Sequence, residues 1–407
     1  MLIKKYSLQQ WLVLATLIMS ISFRDIPVIS VYVKLIPPAI LFLQYGINKW
    51  RKLEKYKASF YFVYLLFFLF GLSSVLWAAR KDYVISESFV LFRLFFTVFI
   101  LGFVIHDIDD VEESLKLFTI SGIVMVIRLL INTPTSTWVN AVFGTFDASS
   151  GAGRIGATIG YHPNGLAAVV FFLLLLAAYY YSEKKTLIRL GWIVVLGVIL
   201  VFTKSRLSMG LAIAGLATFY ITSQKRKSEQ IAAILIIAVL SIAGFWAVFN
   251  VPVLYNFVGF RLAGLFGTKG EQDASTLTRF RFFIYALSLF KSKPVFGVGL
   301  DNFKYYSFNY AHAWAETYAH SNWGELLADT GIIGTFLYYF IQIVTSIRLF
   351  RLIKQLDSNY RKLCALLFSF MIVTILGDVQ TISYDTFCVM FPCMLAYFSS
   401  VYLKKCR

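Results

Sequence analysis

The sequence predicts an all-α fold: a polytopic transmembrane helical bundle of about twelve spans, with a long outer loop that contains an amphipathic surface helix. Composition is the first reason. Of the 407 residues, 59% are hydrophobic and 14% charged, and mean hydropathy is +0.72, whereas soluble domains carry roughly a quarter charged residues. Pattern is the second. The apolar residues form continuous runs of helical length, as a hydrocarbon core of about 30 Å requires, and the alternating strands of a membrane barrel are absent from the sequence. Charge placement is the third, because lysine and arginine concentrate in alternate connections.

In chain order the spans fall near 8–24, 27–47, 58–79, 86–105, 115–131, 165–181, 190–205, 207–222, 231–255, 322–347, 363–380 and 387–403. The first run lacks a small-residue cleavage site and leads straight into the second, so it reads as a span rather than a cleaved signal. One set of alternate connections holds Lys4, Lys5, Lys49, Arg51, Lys52, Lys55 and Lys57, then Lys184, Lys185, Arg189, Lys225, Arg226 and Lys227. The same set ends with Arg348, Arg351, Lys354, Arg361, Lys362, Lys404, Lys405 and Arg407. The opposite short loops offer little beyond Arg24, Arg80, Lys81 and Arg154. Both termini are therefore expected on the cytoplasmic side of the membrane. The net charge of +17 reflects topology and contact with anionic lipid. Spread over many short turns, it argues against nucleic acid as a partner.

Two outer connections are long, 132–164 and 256–319, and loops above about 15 residues are uncommon unless functional or disordered. The stretch 278–290 opens with Thr278-Arg279-Phe280-Arg281 and keeps helical apolar spacing. It is expected to lie along the membrane surface, with Pro294 and Gly297-Val298-Gly299 turning the chain after it. No repeat or linker divides 1–407, which reads as a single integral membrane domain. Cys364, Cys388, Cys393 and Cys406 cluster in or beside the last two spans and suggest neither a disulfide framework nor a zinc site.

The chain has four histidines, His106, His162, His312 and His320. His320 stands where the second long loop enters a span, followed by Ser321 and, nine residues later, by Gly331 and Gly334. An imidazole exchanges protons near neutral pH, so at a water boundary it suits taking a proton from a sugar hydroxyl. The alternative is an interfacial histidine that caps the helix. Arg206, in Thr203-Lys204-Ser205-Arg206, occupies an outer turn of almost no length. A guanidinium there suits phosphate oxygens, or else it snorkels to the headgroups. Arg279 and Arg281 open the expected surface helix, where a helix N-terminus and guanidiniums would hold phosphate or simply meet headgroups. Arg154, in Gly151-Ala152-Gly153-Arg154, precedes His162-Pro163-Asn164, and Pro163 marks a helix start. This segment reads either as a loop folding back before the sixth span or as an ordinary turn.

Arg93 and Arg128 lie near the outer ends of apolar runs; either could face an internal cavity, and snorkelling outward is the preferred reading. Glu325 and Asp329 share one helix face. They orient His320, bind sugar or form a packing network. Gly324, Gly331 and Gly334 are expected to let helices approach closely. A Walker A loop, an outer Asp-x-Asp pair and His-Glu-x-x-His are all absent from the sequence. The expected chemistry uses no cofactor and no metal, and draws its energy from an activated substrate.

Pro163-Asn164, Thr203-Lys204-Ser205-Arg206, Arg279 through Lys293-Pro294-Val295-Phe296-Gly297-Val298-Gly299, and His320-Ser321 with Gly331-x-x-Gly334 occur in this order on one expected face. Together they resemble the motifs of the O-antigen ligase and O-antigen polymerase family of bacterial envelope proteins. The resemblance covers about residues 150–345. It departs where Arg281 follows Arg279 and where Phe283 or Tyr285 stands near the family's tryptophan, so the choice between the two arginines stays open. The resemblance implies inverting glycosyl transfer on the outer face of the cytoplasmic membrane. It implies His320 as general base, Arg206 and Arg279 as a pyrophosphate clamp, Arg154 or Arg281 assisting, and Glu325 and Asn164 in secondary roles. Implied partners are polyprenyl-pyrophosphate-linked glycans as donor and acceptor, membrane lipids, a chain-length regulator and a flippase. A polymerase making capsule or O-antigen type polysaccharide is preferred, partly because abundant Lys, Ile, Phe and Tyr fit a low-GC organism of the kind that often lacks lipopolysaccharide. A ligase is the alternative. A transporter ranks lower, because the charges gather at one rim and no repeat is evident.

Overall fold

The computed structural model describes residues 7–23, 29–46, 55–143, 154–252, 274–310, 313, 315–356 and 358–405, with residues 255, 259 and 263. His312, Gly151-Ala152-Gly153, Lys4, Lys5, Arg24, Lys49, Arg51, Lys52, Cys406 and Arg407 lie outside them. The elements are α1 (Leu8–Ile21), α2 (Ile29–Leu41), α3 (Lys55–Ser73), α4 (Lys81–Phe103) and α5 (Ile108–Asn132). There follow α6 (Thr135–Phe143), α7 (Pro163–Glu183), α8 (Leu187–Phe202), α9 (Arg206–Ser223) and α10 (Lys227–Asn250). The chain closes with α11 (Ala274–Ser292), α12 (Phe303–Tyr310), α13 (Asn322–Ile353), α14 (Ser358–Gly377) and α15 (Phe387–Lys405).

Several helix starts are written in local chemistry. Ser7 and Gln10 form a reciprocal capping box at α1. Asp107 caps α5, and Asp109 and Asp110 occupy its first turn, where carboxylates complement the helix dipole. Pro163 begins α7 with His162 as its cap, and Ser321 caps α13 by accepting the Gly324 amide at 3.2 Å.

Every predicted span overlaps a helix, though not all of these helices have the length and apolarity of a full crossing. Among the described residues, eight helices are long and apolar enough to cross a membrane. These are α3, α4, α5, α7, α10, α13, α14 and α15. Three other apolar helices, Leu8–Ile21, Lys34–Gln44 and Leu187–Phe202, are shorter, and α9 has 18 residues that begin on Arg206 and include serines and threonines. The predicted spans 8–24 and 190–205 run past the helix ends at Ile21 and Phe202, whereas 207–222 lies within α9.

Packing centres on α15, which meets α3, α4, α5, α13 and α14 and is 83% buried over its apolar window. Phe60, Tyr61, Tyr397 and Phe398 form one aromatic cluster between α3 and α15. A buried lysine is paired here rather than stranded: Lys57 Nζ donates to the Ile105 carbonyl at 2.5 Å, which also accepts from Tyr402. At the other extreme, α10 buries none of its apolar window, as suits a helix bathed in lipid.

The helix expected in the second long outer loop is present as α11, and one of its faces packs inward. Phe282, Ala286 and Leu289 pack with Val298, Phe303, Ala319 and Ala328, while Phe280 and Ile284 stand exposed. Packing against the α13 region organises the inward face.

Candidate functional site

The site is built around a break in α13. Gly331 has φ 61° and ψ −162° inside the helix, a backbone region open to glycine alone. The Lys293–Gly299 turn docks into that break. Ile332 donates to Pro294 at 2.9 Å, Val298 to Ala328 at 2.9 Å and Gly299 to Asp329 at 2.8 Å. Gly297, at φ 69°, has space for no side chain, since a Cβ would lie 2.3 Å from the Asp329 carbonyl. The proline–glycine segment and the histidine–glycine segment, separate in sequence, are thus one structural unit.

His320 precedes this helix at φ 56°. Among the described residues, the non-glycine residues with left-handed φ are Lys204, Asp301 and His320. Such conformations cost on the order of 1–3 kcal/mol and cluster at functional sites. The His320 ring lies between Phe282 (6.0 Å, nearly parallel) and Tyr318 (4.1 Å). Glu325, fully buried, accepts the Ala319 amide at 2.5 Å and so holds the backbone that carries His320. Asp329 accepts the Phe303 amide at 2.7 Å and anchors α12. Asn322 ties the same corner to α14. Its amide donates to the Asp378 carbonyl, its side chain meets Asp378 and Tyr339, and it accepts the Ser383 and Tyr384 amides.

A cavity of about 1090 Å³ opens in front of His320, a volume that suits a sizeable ligand. His320, His162, Asn164, Glu325 and Tyr318 line it, so the cavity joins the start of α7 to the start of α13. Arg154 stands behind this wall as a brace: its Nη2 donates to Asn164 at 2.6 Å and its Nε to the Thr203 carbonyl at 2.8 Å. The loop before the sixth span therefore folds back, and it ties the Pro163-Asn164 turn to the turn that leads to Arg206. Arg206 begins α9, whose Ser208 and Leu211 reach the cavity; Arg206 itself is half-buried and is not part of the cavity wall.

Arg279 is half-buried, and its charge acts on His320, His162 and Tyr318. Arg281, two residues further along the helix, is exposed and stands apart from this group. Burial pushes the His320 imidazole down to about 4, with the Arg279 charge and then His162 adding to the effect. His162 is lowered by burial, then by Arg154 and Arg279. Both rings are therefore neutral at physiological pH, the form that accepts a proton.

The cavity also contains groups that sequence reasoning missed or misjudged. Arg93 lines the cavity because α4 turns that face to the interior, the internal placement that the sequence reading ranked second to snorkelling. Arg128 does not snorkel either; it donates to the Ser22 carbonyl and lies over the Phe23 ring. Glu87, Asp301, Lys304, Asp378 and Asp385 all reach the cavity. Burial raises Asp301 to about 6 against the opposing Lys304 bond, and raises Asp378 to about 7. A signal existed for Glu87, since a carboxylate in an apolar run seeks protein or water. Asp301, Asp378 and Asp385 sit in short turns with no such mark.

The arrangement offers a neutral imidazole, a nearby guanidinium, a second bracing guanidinium and several carboxylates able to accept sugar hydroxyls. Residues 191–339 match the family model described as O-antigen ligase. The matched segment contains Arg206, Arg279, Arg281, His320 and Glu325, while Arg154 and Asn164 precede it. No curated protein matches the chain.

Proposed function

We propose, on the premise that residues 191–339 form an O-antigen ligase domain, that this protein is a polymerase. It joins polyprenyl-pyrophosphate-linked repeat units into a surface polysaccharide on the outer face of the cytoplasmic membrane. The observation that carries this reading is the cavity shared by His320, His162 and Asn164, braced by Arg154 and influenced by the Arg279 charge.

In the proposed step His320 takes the proton from an acceptor sugar hydroxyl. The oxygen attacks the anomeric carbon of the donor from the face opposite the pyrophosphate, a C–O bond forms, and configuration inverts. The anomeric carbon–oxygen bond to pyrophosphate breaks, and its electron pair leaves with the polyprenyl pyrophosphate. Arg279 holds the developing charge, Arg206, outside the cavity wall, meets the pyrophosphate only where it extends past that wall, and Arg154 keeps the Asn164 and Thr203 turns together. Glu325 acts through the Ala319 amide as a positioning residue. Donor phosphates beside Arg279 offset the charge that helps depress His320, so donor binding raises the basicity of the ring. Arg281, exposed on the other side of α11, is not needed in this scheme.

A ligase that passes the glycan to a different acceptor is the second reading, favoured by the description of the matched family. One experiment separates them: the purified protein is supplied with a single lipid-linked repeat unit. A ladder of products supports the polymerase. Consumption only when a second acceptor is added supports the ligase, and movement across liposomes without bond formation would support a transporter instead. A chain-length regulator and a flippase would work beside the polymerase.

A further inference from the structure

A second cavity, about 630 Å³, lies at the opposite end of α13 from His320. Along α13 the cavity's first lining residue, Arg348, stands 26 residues beyond Asn322, roughly 40 Å of helix. The last turns of α13 and α15 and the first turn of α3 enclose it, and four cations line it: Lys55, Arg348, Arg351 and Lys404. Among the described residues no carboxylate lines the hollow and none of the four makes an ion pair. Arg348 lies over the Tyr397 ring at 5.4 Å. Leu352 and Val401 add an apolar wall beside the hydroxyls of Ser59 and Ser400.

Two ordinary explanations fall short. Cations at helix C-termini complement the dipole, which accounts for Arg351 and Lys404. Lys55, however, begins α3, where the dipole disfavours a cation and welcomes an anion. The positive-inside tendency asks only for cations in connections; it does not ask three helices to converge them on one hollow. Four like charges gathered this way repel one another until an anion enters.

We propose that this hollow binds the phosphate headgroup of an anionic phospholipid, from the leaflet opposite the glycan-transfer cavity, with acyl chains along Leu352 and Val401. Basic pockets at the ends of membrane helices suit such headgroups, and the apolar wall favours a phosphate that carries a tail. Bound there, the lipid clamps together the ends of α3, α13 and α15. The inference is independent of the glycan-transfer reading.

The test uses the full chain in neutral detergent, with phosphatidylglycerol or phosphatidylcholine of matched chains. Phosphatidylglycerol is expected to raise the melting midpoint by several degrees and to survive as a one-to-one adduct in native mass spectrometry, while phosphatidylcholine does neither. The R348Q/R351Q/K404Q variant is expected to bind at least tenfold more weakly, whereas K225Q/R226Q/K227Q, in the turn between α9 and α10, keeps the full shift. Equal retention of the two lipids by the wild type overturns the proposal, as does an undiminished shift in the triple variant. Millimolar inorganic phosphate is expected to give no shift; a shift equal to the lipid's would assign the hollow to free phosphate and overturn the lipid. Should the triple variant fail to fold, competition between the two lipids on the wild type decides the matter alone.

Discussion

Substituting Gly331 by alanine tests the unit that supports His320. The native φ of 61° with ψ of −162° costs a residue with a side chain on the order of 1–3 kcal/mol. A Cβ would also lie 2.4 Å from the Val295 carbonyl oxygen and 2.8 Å from the Gly297 amide. These are backbone atoms, so the whole Lys293–Gly299 turn must move. That movement weakens three docking hydrogen bonds, from Ile332, Val298 and Gly299, each worth about 1 kcal/mol. The total is about 2–5 kcal/mol. With an unfolding entropy of roughly 2.1 cal/mol/K per residue, the midpoint in detergent falls by about 2–6 °C. Turnover falls further, because Asp329 and Glu325 lie on the displaced turns that hold Phe303 and Ala319. Gly210→Ala is the control: its Cβ meets nothing within 4 Å, and alanine suits a helix interior by up to about 1 kcal/mol. A G331A protein that melts and turns over like the wild type would refute the docked-break account.

Other outcomes follow from the same geometry. Glu325→Ala leaves the buried Ala319 amide without its acceptor, a loss of about 1–3 kcal/mol; kcat should drop roughly 10- to 100-fold with KM little changed, and Glu325→Gln, which keeps an acceptor oxygen, should recover most of it. Arg154→Lys cannot span both the Asn164 oxygen and the Thr203 carbonyl, so turnover should fall about tenfold despite the retained charge. Steady-state rates across pH test His320. With the free ring at about 4, kcat/KM should hold as pH falls from 7.5 to 5.5 and decline only near 4, where the ring gains its proton. The acid limb of kcat should lie higher, since bound phosphates offset Arg279. A single limb near the ordinary histidine value of about 6.5 in both profiles would contradict the proposed environment.

Much of the scaffold was legible because membrane helices announce themselves through continuous apolarity, and caps through local residues. Pro163 marks a helix start in the sequence and does so in the structure, whereas the cap of α13, which the sequence offered to His320 as an alternative, is Ser321. The span number was less legible, since Thr203 to Arg206 and similar short turns blend into their flanking helices. Gly324 does what close packing demands, lying against Phe283 and Ala286 of α11. Gly331 does not: it breaks the helix, and the reason lies 34 residues earlier in the turn that fills the break, with Gly297 in its middle. Periodicity cannot register a partner so distant. The same limit hid Arg93 and Glu87, whose side of α4 faces the cavity only once α7, α14 and α15 are assembled. For the two arginines of α11, residue spacing left the choice open; the charge of half-buried Arg279 acts on both histidines while Arg281 is exposed, which favours Arg279.

The most direct test of the proposed site is turnover of a defined lipid-linked repeat unit by purified His320→Ala and Arg279→Ala proteins, each first shown to melt within a degree or two of the wild type. The account predicts that both lose at least 100-fold in product formation, while Arg281→Ala stays within a few-fold of the wild type. Normal product chains from the folded H320A and R279A proteins would contradict it.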